Sequence, residues 1–159
     1  FFYSFLQLTD PSPSYIFYAP GAPIYPHSHF LLASIIEEAI IRRAIISDGC
    51  VINAAHIERS VIGIRSIIRP GTVLKNTIMM GADFYESECQ ETLASPYPLG
   101  IGANCHIEKA IIDKNARIGN NVTITPLGKE NDSEGPGYEV RDGIVIILKN
   151  AIIPSGTVI

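Results

Sequence analysis

Two lysines in similar local sequences are the residues best suited to bind a small anion. Lys114 lies in Asp-Lys-Asn and Lys149 lies in Leu-Lys-Asn, further along the same repeating pattern. If these repeats stack, the two ammonium groups occupy equivalent positions on neighbouring coils, where they could share one phosphate as point charges. Without further information, each lysine is more typical of a solvated residue at an outward strand position. The pattern by itself therefore indicates an anion site without establishing one.

His56 and His106 suggest a second chemistry, because acyltransferases built on six-residue repeats use a histidine as general base beside coenzyme A. Each histidine lies at or beside a small residue of its repeat, where a structural or solvated role is the commoner outcome. No glycine-rich loop that could hold the phosphates of a nucleotide follows a strand in this sequence. We therefore expect no catalytic residue in this chain.

Composition excludes several classes of function. Cys50, Cys89 and Cys105 show neither CxxC spacing nor flanking ligand pairs, which argues against a zinc site or a disulfide framework and favours reduced thiols in a cytosol or plastid stroma. The net charge of -4 and the scattered 12 lysines and arginines argue against nucleic-acid binding. The longest aliphatic run of the repeats, Ile144 to Leu148, is far shorter than the ~20 residues that span a bilayer, so no membrane segment is expected.

A repeated six-residue rhythm organises the chain from residue 35 onward. Five segments share one form, an aliphatic residue, two polar residues, a small residue and two aliphatic residues. These segments are 41–46, 57–62, 74–79, 107–112 and 148–153, and their starts are spaced by 16, 17, 33 and 41 residues. A helix cannot produce a period of six, and the abundance of β-branched residues favours short strands.

The hexads predict an all-β fold, a left-handed parallel β-helix of about five coils over residues 35–159. Each hexad forms one side of a triangular coil, with its aliphatic residue toward the axis and a small residue such as Ser66 or Thr72 at the inward corner. The turns are expected at Gly63, Gly81, Gly102 and Gly119, which follow aliphatic residues. Coils of about 17 residues imply two exposed insertions, near residues 83–99 and 125–142.

Residues 1–34 differ from the repeats and are rich in proline and phenylalanine. Residues 1–8 are interpreted as the last turns of a helix from a preceding domain. The stretch from Pro11 to Pro26 predicts an extended linker, because each proline removes a backbone donor. Since the chain opens on Phe1 rather than Met, we interpret it as a fragment, with the end of a missing domain and a linker in 1–34 and a β-helix domain in 35–159.

Several segments resemble the C-terminal part of the ADP-glucose pyrophosphorylases (glucose-1-phosphate adenylyltransferases) of plants and cyanobacteria. The resemblance is carried by Ser60-Val-Ile-Gly-Ile-Arg-Ser66, Met79-Met-Gly-Ala-Asp-Phe-Tyr85, Pro98-Leu-Gly-Ile-Gly102, Ala110-Ile-Ile-Asp-Lys-Asn-Ala-Arg-Ile-Gly119 and Ser155-Gly-Thr-Val-Ile159. Hexad repeats alone would not produce the Met-Gly-Ala-Asp or Asp-Lys-Asn-Ala-Arg segments. Phe17-Tyr-Ala-Pro-Gly-Ala-Pro-Ile-Tyr25 resembles the family's linker, so the likeness covers essentially the whole chain.

The full enzyme of that family makes ADP-glucose and pyrophosphate from ATP and glucose 1-phosphate with Mg²⁺, for starch or glycogen synthesis. The resemblance implies that this chain is its regulatory and oligomerisation domain, inactive alone and without a cofactor of its own. The implied partners are a phosphorylated activator of the 3-phosphoglycerate type, inorganic phosphate, and the other subunits of a homo- or heterotetramer. The implied location is a cyanobacterial cytoplasm or a plastid stroma.

The resemblance matches Lys114 and Lys149 to the family's activator-binding lysines. Asp113 has a weaker claim, as a group that orients a cationic partner, and Arg117 could assist the anion. The linker departs from the family, because His29 in Ser28-His-Phe-Leu-Leu-Ala33 replaces an arginine associated with the anion site. A mostly neutral imidazole is a poorer phosphate ligand, so we expect a weakened or altered response to the activator.

Two other functions stay open, a hexapeptide-repeat acyltransferase and a repeat scaffold without a small-molecule site. The type of parent subunit is open too, since Gly63-Ile-Arg-Ser66 resembles the regulatory type, whereas Asp113-Lys-Asn115 and Lys149 resemble the activator-responsive type. The last strand, through Ile159, has no further coil to pair with its backbone, which predicts association with a partner.

Overall fold

The computed structural model describes residues 1–13, 31–86, 95–128 and 132–159. Within these ranges it contains one helix, α1 (Phe2–Gln7), and sixteen strands. The strands are β1 (Ile35–Glu37), β2 (Ile40–Ile46), β3 (Val51–Asn53), β4 (His56–Ile62), β5 (Ile67–Ile68), β6 (Val73–Lys75), β7 (Ile78–Met79), β8 (Gly100–Ile101), β9 (His106–Glu108), β10 (Ala110–Ile112), β11 (Arg117–Ile118), β12 (Thr123–Ile124), β13 (Ser133–Gly135), β14 (Tyr138–Arg141), β15 (Ile144–Ile147) and β16 (Ile152–Ile153).

Apart from β13 and β14, the strands pair in parallel with strands of neighbouring coils. One sheet has the order β1, β3, β5, β8, β11, β16. A second sheet supplies the remaining sides, and β4 passes through a corner so that its first half pairs with β6 and its second half with β7. The six stacked strands of the first sheet correspond to five full coils and the start of a sixth. This confirms the predicted parallel β-helix of about five coils.

The register agrees with four of the five predicted repeat segments. One column of paired residues contains Ile41, Ile57, Leu74 and Ile107, in that order. The prediction for segment 148–153 is wrong by one hexad, because Ile153 pairs with Ile118 rather than with Ile112. The chain leaves the stack after β12 and returns at β15, where Ile147 pairs with Ile112. The insertion between β12 and β15 therefore accounts for the spacing of 41 residues, from which segment 148–153 was assigned to the wrong hexad.

Aliphatic residues of the hexads point to the coil axis, as predicted, although Leu148 of segment 148–153 is 38% exposed. Ile57, Leu74, Ile107 and Ile112 are all 0% exposed and belong to one continuous core. Each fully buried side chain of this size stabilises the fold by roughly 1.5–3 kcal/mol relative to its exposed state. The core is therefore a column that every coil extends.

Small polar residues close inward corners, and their hydroxyl groups are satisfied locally. Thr72 Oγ1 donates to Gly102 O at 2.7 Å and accepts from Cys105 N at 3.3 Å. Ser66 Oγ donates to Gly63 O at 2.7 Å. A buried hydroxyl without a partner would cost about 1–3 kcal/mol. These hydrogen bonds explain why a small polar residue is tolerated inside the coil.

Residues other than glycine form most of the turns with positive φ, which corrects the expectation that glycines would do so. Among the described residues with positive φ are five asparagines, Asn76, Asn104, Asn115, Asn121 and Asn150. Asparagine enters the left-handed region at lower cost than most residues. Of the four predicted turn glycines, Gly81 alone has a positive φ. At Gly119 the requirement is close packing, since a Cβ would lie 2.5 Å from Ser155 N.

Both predicted insertions are present. The first lies between β7 and β8 and is described except for residues 87–94. The second insertion, between β12 and β15, contains regular structure and is not simply the exposed loop that was expected. Its strands β13 and β14 form an antiparallel hairpin, and β14 pairs with β15. Val140 of β14 is 0% exposed. The hairpin therefore adds to the hydrophobic core.

Helix α1 packs on the outside of the coils. Phe2 and Leu6 are 5% and 2% exposed and form a small apolar cluster with Ile78. Asp10 Oδ1 accepts a hydrogen bond from Arg43 Nη2 at 2.6 Å, which ties the end of the segment to β2. Most of the predicted linker, residues 14–30, lies outside the described residues. In the described ranges, no helix has the length and apolar character to cross a bilayer.

Candidate functional site

Lys114 and Lys149 lie one above the other at one corner of the β-helix. The backbone N of Asn150 donates to Lys114 O at 2.9 Å. The strands that follow the two lysines, β11 and β16, are paired neighbours. The residues after the lysines, Asn115 and Asn150, have φ values of 61° and 59° and make the same turn on successive coils. The structure confirms that the two lysines occupy equivalent positions on neighbouring coils.

One carboxylate lies between the two ammonium groups. Lys114 Nζ is 2.7 Å from Asp83 Oδ1, and Lys149 Nζ is 3.6 Å from Asp83 Oδ2. The side chains of Lys114, Lys149 and Asp83 are 38%, 53% and 40% exposed. Water therefore screens both ion pairs, and neither is locked in place by burial.

The surroundings of Asp83 strongly favour its charged form. The hydrogen bond from Lys114 is the largest cause, followed by the one from Asn115, and together with the positive charges of both lysines they lower the pKa of Asp83 from 3.8 to about 2. At neutral pH the lysine pair thus faces a fully ionised carboxylate.

The side chain of Asn115 joins the Asp83 segment to both lysine corners. Asn115 Nδ2 lies 3.1 Å from Asp83 Oδ2 and 3.1 Å from Asn150 Oδ1, donating to both. Asn115 Oδ1 accepts from Asp83 N at 2.8 Å. The residue is only 7% exposed. This amide therefore fixes the position of Asp83 relative to the two stacked corners.

Asp83 reaches the lysines because its segment starts directly beneath them. Asn115 N donates to Gly81 O at 3.1 Å, just as Asn150 N donates to Lys114 O, so Gly81 is the counterpart of Lys114 on the preceding coil. The φ of Gly81 is +90°, and a Cβ at this residue would lie 2.1 Å from Ile64 O. The corner below Lys114 thus admits no side chain, and the chain turns outward there into the first insertion.

Asp113 and Arg117 flank the lysine corner and both have partners. Asp113 Oδ1 accepts from the backbone N of Lys114 at 2.7 Å, which stabilises the turn. Arg117 Nη1 donates to Glu86 Oε1 and, at 2.9 Å, to Tyr97 O. Burial raises the pKa of Glu86, but the hydrogen bonds from Leu99 N and Arg117 outweigh this and lower it overall. In this state Arg117 anchors both ends of the first insertion.

His56 and His106, the residues of the alternative chemistry, do not join this site. His29 lies outside the described residues. Val73 pairs with His56 on one neighbouring strand and with His106 on the other, so the three residues form one column. His56 Nε2 is buried and has no hydrogen-bond partner in the described part of the chain, whereas His106 Nε2 lies 3.9 Å from Glu108 Oε2. No group of three or more His, Cys, Asp or Glu residues that could hold a metal ion occurs in the described ranges.

Sequence reasoning missed Asp83 and Asn115 as parts of the site. Asp83 precedes Lys114 by 31 residues, and no local pattern links them. A signal for Asn115 was available, because asparagine follows both lysines and commonly forms such turns. Lys75 and Asn76 show the same dipeptide at another corner, so that signal alone does not identify a site.

Comparison with known proteins agrees with this architecture. A family model described as the GLGC left-handed parallel beta-helix domain matches residues 29–158. The glucose-1-phosphate adenylyltransferase small subunit, chloroplastic/amyloplastic, of Triticum aestivum is 44% identical over 94% of this chain. The chain spans 33% of the length of that relative. The family match covers most of the chain and supplies the left hand of the coils, and the protein therefore belongs to the GLGC left-handed parallel β-helix domain family.

Proposed function

We propose that this chain is the regulatory and assembly region of a plastid glucose-1-phosphate adenylyltransferase of starch biosynthesis. The wheat small subunit carries that name, and this chain is similar to about a third of it. The full enzyme would convert ATP and glucose 1-phosphate to ADP-glucose and pyrophosphate with Mg²⁺. This chain contributes no catalytic group, and its role is to bind an effector and to contact other subunits.

The effector site is the stacked pair Lys114 and Lys149. The observation that carries this proposal is the single carboxylate bound by both Nζ atoms, at 2.7 and 3.6 Å. An oxyanion already fits between the two ammonium groups, and a phosphate has a similar spacing of oxygens with more charge. The ligand is a phosphorylated metabolite of the 3-phosphoglycerate type, or inorganic phosphate, held by charge-assisted contacts.

Arg117, Asp113 and His29 have supporting roles in this proposal. Asp113 holds the turn that presents Lys114. Arg117 extends the positive surface when Glu86 releases it. His29, in the linker, replaces a stronger phosphate ligand and thereby weakens the response to the activator.

Contacts with other subunits of a tetramer are the second part of the proposed role. Three isoleucines of the first coil are exposed: Ile35 to 63%, Ile36 to 47% and Ile40 to 54%. Adjacent exposed apolar residues on edge strands favour pairing with another chain. Sedimentation of the complete chain at increasing concentration tests this, and a monomer at every concentration would contradict it.

Activation curves of the full-length enzyme test the effector site. Lys114→Ala and Lys149→Ala should each raise the activator concentration for half-maximal response by about tenfold or more, with little change in activity without activator. Lys75→Ala is the matched control, because Lys75 also precedes an asparagine with positive φ but lies at another corner. Unchanged half-saturation in both lysine variants would refute the site. His29→Arg should shift the response in the opposite direction.

A further inference from the structure

We propose that Asp83 is a built-in competitor of the effector, occupying the lysine pair until a phosphate dianion displaces its carboxylate. This inference rests on the proposed lysine site and adds a regulatory element to it. In this view, the contacts of Asp83 with Lys114 and Lys149 are the self-occupied state of the site.

The geometry supports occupation by a substitute anion. Asp83 uses both carboxylate oxygens, Oδ1 toward Lys114 and Oδ2 toward Lys149 and Asn115. A phosphate bound between the same two Nζ atoms would need the same space. The two anions therefore exclude each other.

Displacement of Asp83 needs no change in the coils. The carboxylate lies on a segment that follows β7, and its side chain is 40% exposed. The hydrogen bond from Asp83 N to Asn115 Oδ1 involves the backbone of Asp83, so it survives a rotation of the side chain. The carboxylate can thus turn into solvent while the segment stays attached.

The balance of charge favours replacement by a dianion. Among the three charged groups that contact one another, two ammonium groups and one carboxylate leave one positive charge uncompensated. A ligand with a single carboxylate would replace the Asp83 carboxylate by a group of the same charge, with no gain in electrostatic energy. A phosphate dianion places two charges against two lysines, which compensates for the loss of the Asp83 contacts. Among the described residues that flank this corner, Glu86 is paired with Arg117, and Asp113 accepts a hydrogen bond from the backbone N of Lys114.

The test is an NMR titration of the complete chain with inorganic phosphate. The solution is held at about pH 8, where phosphate is close to a dianion, and at constant ionic strength so that screening does not change. Asp83→Asn keeps the shape of the side chain and removes its charge, and it should bind phosphate about three- to tenfold more tightly than the unaltered chain. Glu134→Gln is the control, because it removes a carboxylate that pairs with Arg141 of the β13–β14 hairpin rather than with either lysine, and its affinity should stay unchanged.

The outcomes separate this inference from the proposed function. If Lys114→Ala and Lys149→Ala bind phosphate as well as the unaltered chain does, the lysine site itself is wrong. If both lose binding and Asp83→Asn binds no more tightly than the unaltered chain, the site stands and the competitor is refuted.

A second measurement needs no substitution. In the unaltered chain, the carboxyl ¹³C signal of Asp83 should move with the same midpoint as phosphate binding. A signal that stays in place at saturating phosphate would overturn displacement even if Asp83→Asn fails to fold.

Discussion

Asn115 Nδ2 donates a hydrogen bond to Asn150 Oδ1 at 3.1 Å, linking two turns that are 35 residues apart in the chain. The same amide group makes two hydrogen bonds with Asp83, donating to its carboxylate and accepting from its backbone N. Asn115 therefore connects its own corner, where Lys114 lies, to the corner of Lys149 and to the segment that carries Asp83.

Replacement of Asn115 should destabilise the domain in two separable ways. Asn115→Gly removes the hydrogen bonds but tolerates the φ of 61°, and we expect a loss of about 1–3 kcal/mol in the free energy of unfolding. Asn115→Ala adds roughly 1–2 kcal/mol, because alanine is strained in the left-handed region. Urea denaturation of both variants measures the difference. Equal stability of the two variants would contradict the backbone contribution.

The pKa of Asp83 should be measurable as about 2 by NMR titration of its carboxyl group. Because this pKa is lower than the ordinary value of 3.8, the contribution of Asp83 to stability is fully present above about pH 4 and is lost as the pH falls through about 2. Lys114→Met removes the largest cause of the shift, so the pKa should rise toward 3.8. Lys75→Met, at another corner, should leave it unchanged. A low pKa that persists without Lys114 would show that the ion pair is not its cause.

The burial of the aliphatic column predicts a strong contrast between two isoleucines on strands. Ile57 of β4 is 0% exposed, whereas Ile36 of β1 is 47% exposed. Ile57→Ala should lower the free energy of unfolding by about 2–5 kcal/mol, through lost burial and a residual cavity. Ile36→Ala should cost about 1 kcal/mol or less. Thermal or urea unfolding compares them, and similar losses would argue against the assigned inward face.

Two glycines with positive φ should respond differently to alanine. Gly156 has a φ of +75° and open space where a Cβ would lie, whereas the Cβ of an alanine at Gly81 would meet Ile64 O at 2.1 Å. Gly156→Ala should cost about 1–2 kcal/mol from backbone strain. Gly81→Ala should cost about 1–3 kcal/mol more, since the neighbouring coil must shift. Urea denaturation compares the two, and equal losses would contradict the close approach at Gly81.

The sequence alone predicted the coiled architecture well, for a physical reason. Each side of the triangular coil must place one aliphatic residue toward the axis. Ile57, Leu74 and Ile107 therefore recur at intervals of one coil, or of one coil plus an insertion. The two insertions were visible because they break this spacing. The equivalence of Lys114 and Lys149 was visible because each is the second residue of its hexad.

Tertiary structure decided where the chain re-enters the stack and which anion faces the lysines. Backbone pairing places Ile147 opposite Ile112, and the spacing of hexads could not specify this because the hairpin also contributes strands to the sheet. Asp83 meets Lys114 only because the first insertion leaves the coil at Gly81, one coil below. Such a contact depends on the hydrogen-bonded stacking of corners from distant parts of the chain, which residue types and their spacing do not encode.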